Sequence, residues 1–295
     1  MAELENIAAR IKENAQTVDE ALGKKLACAD ADTAVLWDAM AYSTIGGGKK
    51  IRATLTLEFC RLFGGDADTA VDFACALEMI QSFSLIHDDL PCMDDDDMRR
   101  GKPSCHIKYG EAEALLAGDA LVMLAFETLS DAKTDAENAR KATKVLSRAS
   151  GAFGMCGGQS MDISAEGQSV SFEYLKKLQS LKTGALISAS AELGCIAAGA
   201  SEEMTDDART YAMCVGRAFQ IVDDILDVEG DEKILGKPVG SDADSEKTTF
   251  VTALGIDGAR KEAKRLTEKA KEAISKYDGS ETLCELAELL LSRKN

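Results

Sequence analysis

The sequence predicts an all-α protein, and three observations support this prediction. Apolar residues recur at helical spacing along most of the 295-residue chain, proline occurs only 3 times, and no convincing run of alternating apolar and polar residues marks a β-strand. No linker and no repeat of fixed period divides the chain. We therefore expect a single domain over residues 1–295, with roughly ten or more helices.

Apolar stripes identify helices near both ends of the chain. The first includes Leu4, Ile7, Ala8 and Ile11, near the N-terminus. The second stripe consists of Ala259, Ala263, Leu266, Ala270, Ile274 and Tyr277, and charged residues alternate on the opposite face of its helix. The third stripe consists of Leu283, Leu286, Leu289 and Leu290. Loops are predicted at residues 64–68, 101–104, 131–138, 164–171 and 199–206. The long polar segment 229–247 is interpreted as a lid.

The charge and cysteine content exclude several classes of partner. The chain has 34 basic and 51 acidic residues, a net charge of −17, which disfavours binding to nucleic acid or to an anionic membrane surface. Nine cysteines without a CxxC pair indicate a reducing compartment. The N-terminus does not resemble a signal peptide, and the longest weakly polar stretch, residues 184–200, is too short and too polar to span a bilayer. We expect a cytoplasmic protein without membrane insertion.

Two clusters of aspartates carry the predicted chemistry. Asp88, Asp89 and Asp94 follow one apolar run, and a second run precedes residues 223–227, of sequence Asp-Asp-Ile-Leu-Asp. Two unit charges about 4 Å apart repel by about 4 kcal/mol even at an effective dielectric constant of about 20. A bound cation relieves this repulsion, and carboxylate oxygens are ligands that Mg²⁺ shares with phosphate groups. The clusters therefore predict a magnesium site.

The spacing of each cluster predicts its local geometry. Asp223 and Asp227 are four residues apart and share one face of a helix. Asp88 and Asp94 are six residues apart, and an ideal helix would place their side chains about 120° apart around its axis. Because Pro91 lies between them, we expect a kink that turns Asp94 toward Asp88.

Basic residues accompany both clusters. A glycine loop, residues 46–48, leads into Lys49, Lys50 and Arg52, and its exposed N–H groups suit an anion. Arg99, Arg100, Lys102, Lys182 and Lys237 are further candidates. Basic residues around magnesium-type aspartates in so acidic a chain predict a diphosphate substrate.

The motifs together resemble the trans-isoprenyl diphosphate synthase family. Residues 84–103 and 219–227 are similar to its two aspartate-rich motifs. The glycine loop and the segments 110–112, 116–120, 157–159 and 182–184 also match, in the family's order. The resemblance covers nearly the whole chain and is greatest to the bacterial farnesyl diphosphate synthases.

The resemblance implies a fold and a reaction. The fold is a bundle of antiparallel helices around a deep central cavity, usually in a homodimer. Magnesium ions, typically three, promote loss of diphosphate from an allylic substrate, and isopentenyl diphosphate attacks the resulting cation. A proton then leaves to the released diphosphate, so His87 is assigned a structural role. Magnesium ligands by resemblance are Asp88, Asp94, Asp223 and Asp227, with Asp89 and Asp224 in support.

Substrate contacts are also assigned by resemblance. Lys49, Arg52, Gln81 and Arg100 are assigned to isopentenyl diphosphate, although Gln81 stands where many relatives have histidine. Arg99, Lys182 and Lys237, with Lys247 as a weaker addition, are assigned to the allylic diphosphate, and Thr183 and Gln220 to the neighbourhood of the developing cation. Lys50 and Ala53 replace the commoner arginine and proline without removing an expected charge contact.

The residues before the first motif bear on product length. By resemblance, Phe83 and Ser84 form the floor of the chain cavity, and the bulky Phe83 favours farnesyl diphosphate, a C15 product. An ideal helix places Ser84 below Asp88 and Phe83 about 140° away. A C20 synthase is the main alternative. A class I terpene cyclase, a non-catalytic partner subunit, a membrane prenyltransferase and an acidic interaction protein rank lower, because each fits the paired motifs less well.

Overall fold

A computed structural model describes residues 2–28, 30–229 and 248–292, with side chains from residue 6 onward. Thirteen α-helices occur within these ranges. The first seven are α1 (Ala2–Lys25), α2 (Ala34–Thr44), α3 (Ile51–Leu62), α4 (Ala67–Asp88), α5 (Cys105–Tyr109), α6 (Glu111–Asp131) and α7 (Ala136–Ser150). The others are α8 (Met155–Ala165), α9 (Phe172–Gln179), α10 (Ala185–Ala197), α11 (Glu202–Glu229), α12 (Phe250–Ile274) and α13 (Glu281–Ser292). The predicted all-α class is confirmed.

Side-chain caps explain where several helices begin. The carboxylates of Asp66 and Asp135 accept N–H groups in the first turns of α4 and α7, and Ser171 does the same for α9. Thr249 and Thr252 form a reciprocal capping box at the start of α12. These caps satisfy N–H groups that have no partner within the helix. The polar loop residues of the sequence therefore fix the helix starts.

The predicted apolar stripes form buried helix faces. Ile7 and Ile11 of α1 are buried, as is the α12 stripe from Ala259 to Ile274. Tyr277 lies beyond the end of α12, where its ring packs edge-on against Phe63. In α13, Leu283, Leu286 and Leu290 are buried and Leu289 is partly exposed.

Two loop predictions need correction. Residues 199–206 are mostly helical, because α11 begins at Glu202. The predicted loop at 101–104 contains a strand of a short hairpin, in which β1 (Met98–Arg99) pairs antiparallel with β2 (Lys102–Pro103). Arg100 and Gly101 form its tip with positive φ angles of 52° and 75°, as a type I′ turn requires. The predicted lid lies outside the described residues, except for Glu229 at the end of α11.

Two buried apolar clusters are joined by α3 and α10. One cluster surrounds α4 and α6, and the other contains the faces of α11, α12 and α13. Helices α3 and α10 each contribute side chains to both clusters. They approach closely at Gly194, where a Cβ atom would lie 2.4 Å from the carbonyl oxygen of Thr56. This contact fixes the spacing between the halves of the core that carry the two aspartate motifs.

One described helix, α4, is long and apolar enough to cross a membrane. The expectation of no membrane insertion therefore stays a prediction. Of the most apolar stretch of α4, 72% is buried inside the protein. A single helix of this kind is weak evidence for a membrane span, because the core helix of a globular protein has the same composition.

Candidate functional site

Two cavities adjoin one another along the carboxyl-terminal half of α4. The first has a volume of about 600 Å³ and the second about 760 Å³, both in the range of small-molecule sites. Arg52 and Gln81 line both cavities. The first is also lined by the predicted residues Phe83, Ser84, Asp88, Lys182 and Thr183, and the second by Lys49 and Arg100. The structure therefore brings part of each predicted substrate-binding set to one of two neighbouring cavities, and Arg99 and Gln220 line neither of them.

The first aspartate motif lies at the end of a helix and in the turn that follows. Helix α4 ends at Asp88, and the chain turns so that the N–H of Asp94 donates to the carbonyl oxygen of Asp88 at 2.9 Å. The predicted kink is therefore wrong in form. Pro91 lacks an N–H group and its ring clashes with a carbonyl one turn back, so the helix ends before it. Asp94 nevertheless lies close enough to act electrostatically on Asp88.

Asp88 is a carboxylate in an unfavourable environment for its charge. Burial raises its pKa to about 6, Lys182 and Arg99 act in the opposite direction, and Asp94 and Asp89 raise the pKa further. The environment therefore disfavours the ionised form. A cation bound at this position would reverse that preference.

Asp89 connects the motif to the hairpin. Its carboxylate is buried and accepts a hydrogen bond from Arg99 Nε at 2.9 Å, and Arg99 also contacts Asp96 at 3.2 Å. Burial raises the pKa of Asp89, although Arg99 opposes this shift. Arg99 thus binds protein carboxylates, and its assignment to the allylic diphosphate stays a prediction.

The second motif lies on α11, as its spacing predicts. Asp227 and Asp224 are buried, while Asp223 is partly exposed. Asp224 Oδ2 accepts the N–H of Phe250, the first residue of α12, at 2.7 Å. This bond ties α11 to the start of α12, a structural role that the sequence analysis did not assign to Asp224.

A π-helical turn, Ser180–Gly184, lies between the two motifs. Its Lys182 donates to Asp162 at 2.6 Å and also acts electrostatically on Asp88. Its Thr183 donates to Gln220 Oε1 at 2.7 Å. Gln220 lies on α11, three residues before Asp223. Isolated π-helical turns are frequent at functional sites. Sequence reasoning missed Asp162, whose only signal was its position three residues after the Gly-Gly-Gln motif.

The glycine loop before α3 packs against Arg100. A Cβ atom at Gly47 would lie 2.6 Å from Arg100 Nη1, and one at Gly48 would lie 2.9 Å from the guanidinium carbon. Larger residues would displace this side chain. Arg52 Nε is buried and has no hydrogen-bond partner within the described part of the chain. A buried unpaired donor is costly, and an anionic ligand bound here would satisfy it. Lys237 and Lys247 lie outside the described residues.

The donor set fits magnesium shared with a substrate. Within the described ranges, no three acidic, histidine or cysteine side chains form a group that could hold a metal ion by themselves. Magnesium needs fewer, because it usually binds one or two carboxylates together with water and substrate phosphate oxygens. Asp88 and Asp94 supply such oxygens and a surplus of negative charge. A diphosphate would complete the coordination.

Comparison with known proteins agrees with this site. The Polyprenyl synthetase family matches residues 33–286. The chain is 43% identical over 260 residues to the farnesyl diphosphate synthase of Escherichia coli K12, covering 87% of each chain. It is 42% identical to a heterodimeric geranylgeranyl pyrophosphate synthase large subunit of Arabidopsis thaliana, over 88% of this chain and 72% of the relative. The crystal structure of a FPP/GFPP synthase from Zymomonas mobilis superposes with a TM-score of 0.89 at 35% identity, covering 98% of this chain and 100% of the other.

The chain therefore belongs to the polyprenyl synthetase family, and it is a trans-isoprenyl diphosphate synthase.

Proposed function

We propose that the protein is a farnesyl diphosphate synthase, which joins isopentenyl diphosphate to dimethylallyl and then geranyl diphosphate. The observation that carries this proposal is the pair of cavities that adjoin at Arg52 and Gln81. One cavity contains the aspartate end of α4 and an aromatic side chain, and the other contains the cationic glycine-loop region. Two diphosphates bound in this way would present their hydrocarbon parts to each other.

The chain's own residues divide the task between the cavities. Arg52, Lys49 and Arg100 hold the isopentenyl diphosphate, and Lys182 binds the allylic diphosphate after leaving Asp162. Magnesium bound through Asp88, Asp94 and Asp223 would supply Lewis-acid stabilisation of the departing diphosphate. The residues hold the substrates in a reactive orientation, and the cavity limits access of water to the allylic cation.

Other side chains near the reacting carbons have supporting roles. The hydroxyl oxygen of Thr183 and the amide of Gln220 place polar groups beside the cation. His87 Nε2 lies 3.1 Å from the carbonyl oxygen of Leu115 and donates to it. This interhelical contact supports the structural role assigned to His87, and the released diphosphate accepts the proton.

Phe83 supports a C15 product. Its ring lines the first cavity together with Ser84, and it packs edge-on against His87 with ring centroids 4.9 Å apart. A close-packed aromatic wall limits the length of a growing prenyl chain by excluded volume. A C20 product is the second candidate, because several of the relatives are geranylgeranyl pyrophosphate synthases.

Product analysis tests this proposal. Purified protein is incubated with dimethylallyl diphosphate, excess isopentenyl diphosphate and magnesium, and the dephosphorylated products are separated by chain length. We expect a C15 alcohol. A C20 alcohol would retain the reaction and overturn the assigned length. No elongation by a folded sample would favour a non-catalytic partner subunit, and a cyclic hydrocarbon would indicate a terpene cyclase.

Replacing Phe83 by alanine is expected to shift the main product from C15 to C20 or longer, because the change opens the wall of the cavity. The same chromatography measures this shift. Phe63→Ala is a matched control, since Phe63 is a partly buried aromatic in the other core cluster. The control is expected to lower stability without lengthening the product. A C15 product from Phe83→Ala would remove Phe83 from the length-determining wall.

We also propose a cytoplasmic homodimer of single-domain subunits that uses magnesium, without membrane insertion or a nucleic-acid partner. Leu116 and Met123 lie two turns apart on α6 and are 53% and 66% exposed. Such an apolar face gains stability when a second copy covers it. Light scattering at low micromolar concentration is expected to give twice the mass of the chain, and a monomer mass would contradict this assembly.

A further inference from the structure

Glu78 is a buried carboxylate in α4 to which the reaction assigns no part. Glu78 is only 4% exposed and lies ten residues before Asp88. Its Oε1 atom accepts the N–H of Ala53 at 3.2 Å, and its Oε2 atom lies 3.8 Å from Lys50 Nζ. Glu78 therefore contacts the chain on both sides of Arg52.

The start of α3 depends on an acceptor from outside the helix. Lys50 stands at its cap position with a positive φ of 46°, and no side chain of its own segment caps the helix. The first-turn N–H groups have no partner within a helix, and negative charge is favourable at this end. Glu78 supplies both the acceptor and the charge from the neighbouring helix.

Glu78 also balances the two arginines assigned to isopentenyl diphosphate. Burial lowers the pKa of Arg52 and of Arg100, and Glu78 is the largest influence that opposes this shift in each. Arg100 lowers the pKa of Arg52, so the two side chains repel each other. Glu78 lines the same 760 Å³ cavity as both arginines. It is therefore a counter-charge to both before a diphosphate binds.

The ammonium group of Lys50 extends this network to the glycine loop. Its side chain is 1% exposed, and Nζ donates to the carbonyl oxygen of Thr44 at 2.9 Å. Asp19 Oδ1 lies 3.1 Å from Lys50 Nζ and accepts the N–H of Gly46, also at 3.1 Å. Lys50 thus acts inside the protein and ties the carboxylate of Glu78 to the loop that packs on Arg100.

We propose that Glu78 is a positioning residue for isopentenyl diphosphate binding. Its charge and its bond to Ala53 hold Arg52 and Arg100 in their binding arrangement in the free enzyme. This inference rests on the proposed assignment of the second cavity to isopentenyl diphosphate. It predicts that loss of the charge weakens binding of this substrate more than it affects the allylic site around Asp88 and Lys182.

Glu78→Gln tests the proposal, because glutamine keeps the shape and the acceptor for Ala53 but removes the charge. We expect the KM for isopentenyl diphosphate to rise at least about tenfold, which corresponds to about 1.4 kcal/mol of binding energy. We expect kcat and the KM for geranyl diphosphate to stay within about threefold. Titration calorimetry with isopentenyl diphosphate alone is expected to show the same loss of affinity.

Glu58→Gln is the matched control. Glu58 is also a buried glutamate with cationic partners, Arg10 and Arg61, and it lines neither of the two cavities. Both variants are expected to lower the melting temperature, but only Glu78→Gln raises this KM. If Glu78→Gln does not fold, Glu78→Asp, which retains the charge on a shorter side chain, is expected to raise the KM by less than about fivefold.

The outcomes separate this inference from the proposed function. An unchanged KM in a folded Glu78→Gln variant would overturn the role of Glu78, whereas an equal rise in Glu58→Gln would reduce the effect to general destabilisation. For the Asp variant, a rise as large as tenfold would contradict the importance of the charge. Absence of elongation by the wild-type protein would instead contradict the proposed function.

Discussion

Asp88→Asn is expected to lower kcat by about 10³-fold or more, while the protein stays folded. The change removes a carboxylate at the end of α4 that would help to bind magnesium and therefore to stabilise the departing diphosphate. Loss of one preorganised electrostatic group commonly costs about 10²–10³-fold, and loss of metal affinity adds to this. The measurement is kcat at saturating magnesium and both substrates. A variant within tenfold of the wild type would remove Asp88 from the catalytic site.

The melting temperature of Asp88→Asn distinguishes a loss of catalysis from a loss of folding, because the pKa of Asp88 predicts how the change affects stability. Burial raises it to about 6, from an ordinary value of 3.8, so ionisation of Asp88 costs the folded state more than the unfolded state. The contribution of Asp88 to stability is therefore greatest below pH 3.8 and declines as the pH rises through about 6. At pH 7.5 without magnesium, Asp88→Asn should melt at the same temperature as the wild type or higher.

The exposed Asp95 offers a control in the same turn. It has a positive φ of 52°, a conformation that asparagine also tolerates. Asp95→Asn is therefore expected to preserve the backbone and to retain kcat within about threefold. Equal losses in both variants would indicate that total negative charge, rather than the position of Asp88, determines activity.

The sequence predicted the helices and the position of the aspartates well, because both depend on local patterns. A spacing of four residues on a long amphipathic helix fixes the shared face of Asp223 and Asp227 without information from elsewhere in the chain. The stripe from Ala259 to Ile274 likewise needs only helical periodicity. Features of this kind follow from the regular geometry of a single element.

The features that sequence reasoning missed depend on contacts between distant segments. The bond from Phe250 to Asp224 spans 26 residues, and the bond from Ala53 to Glu78 spans 25. Neither partner shows a local signal of the other. The two-residue strands of the hairpin are too short for a detectable alternation, and Arg-Gly is not one of the strong signals for its turn. Pro91 correctly predicted that the helix after Asp88 is interrupted, but whether a helix kinks or ends at a proline depends on the surrounding packing.

Gly158→Ala is expected to lower kcat by about 100-fold, because the new methyl group collides with the π-helical turn. A Cβ atom at Gly158 would lie 2.3 Å from the backbone nitrogen of Lys182 and 2.6 Å from its Cα atom. Backbone atoms cannot rotate away as a flexible side chain can, so the turn and helix α8 must separate. Lys182 and Thr183 would then move from Asp88 and Gln220, and a displacement of about 1 Å can cost about 100-fold in rate. Steady-state kinetics with geranyl diphosphate measure this loss.

Gly23→Ala is the matched control for this prediction. Gly23 also lies within a helix, α1, but a Cβ atom there would meet no other atom within 4 Å. Because alanine is favoured over glycine inside helices, this variant should be more stable by about 0.5–1 kcal/mol, with unchanged kinetics. A fully active Gly158→Ala would show that α8 yields without moving Lys182. A hundredfold loss, with a melting temperature that falls by only a few degrees, would instead show that the close contact at Gly158 positions the π-helical turn for activity.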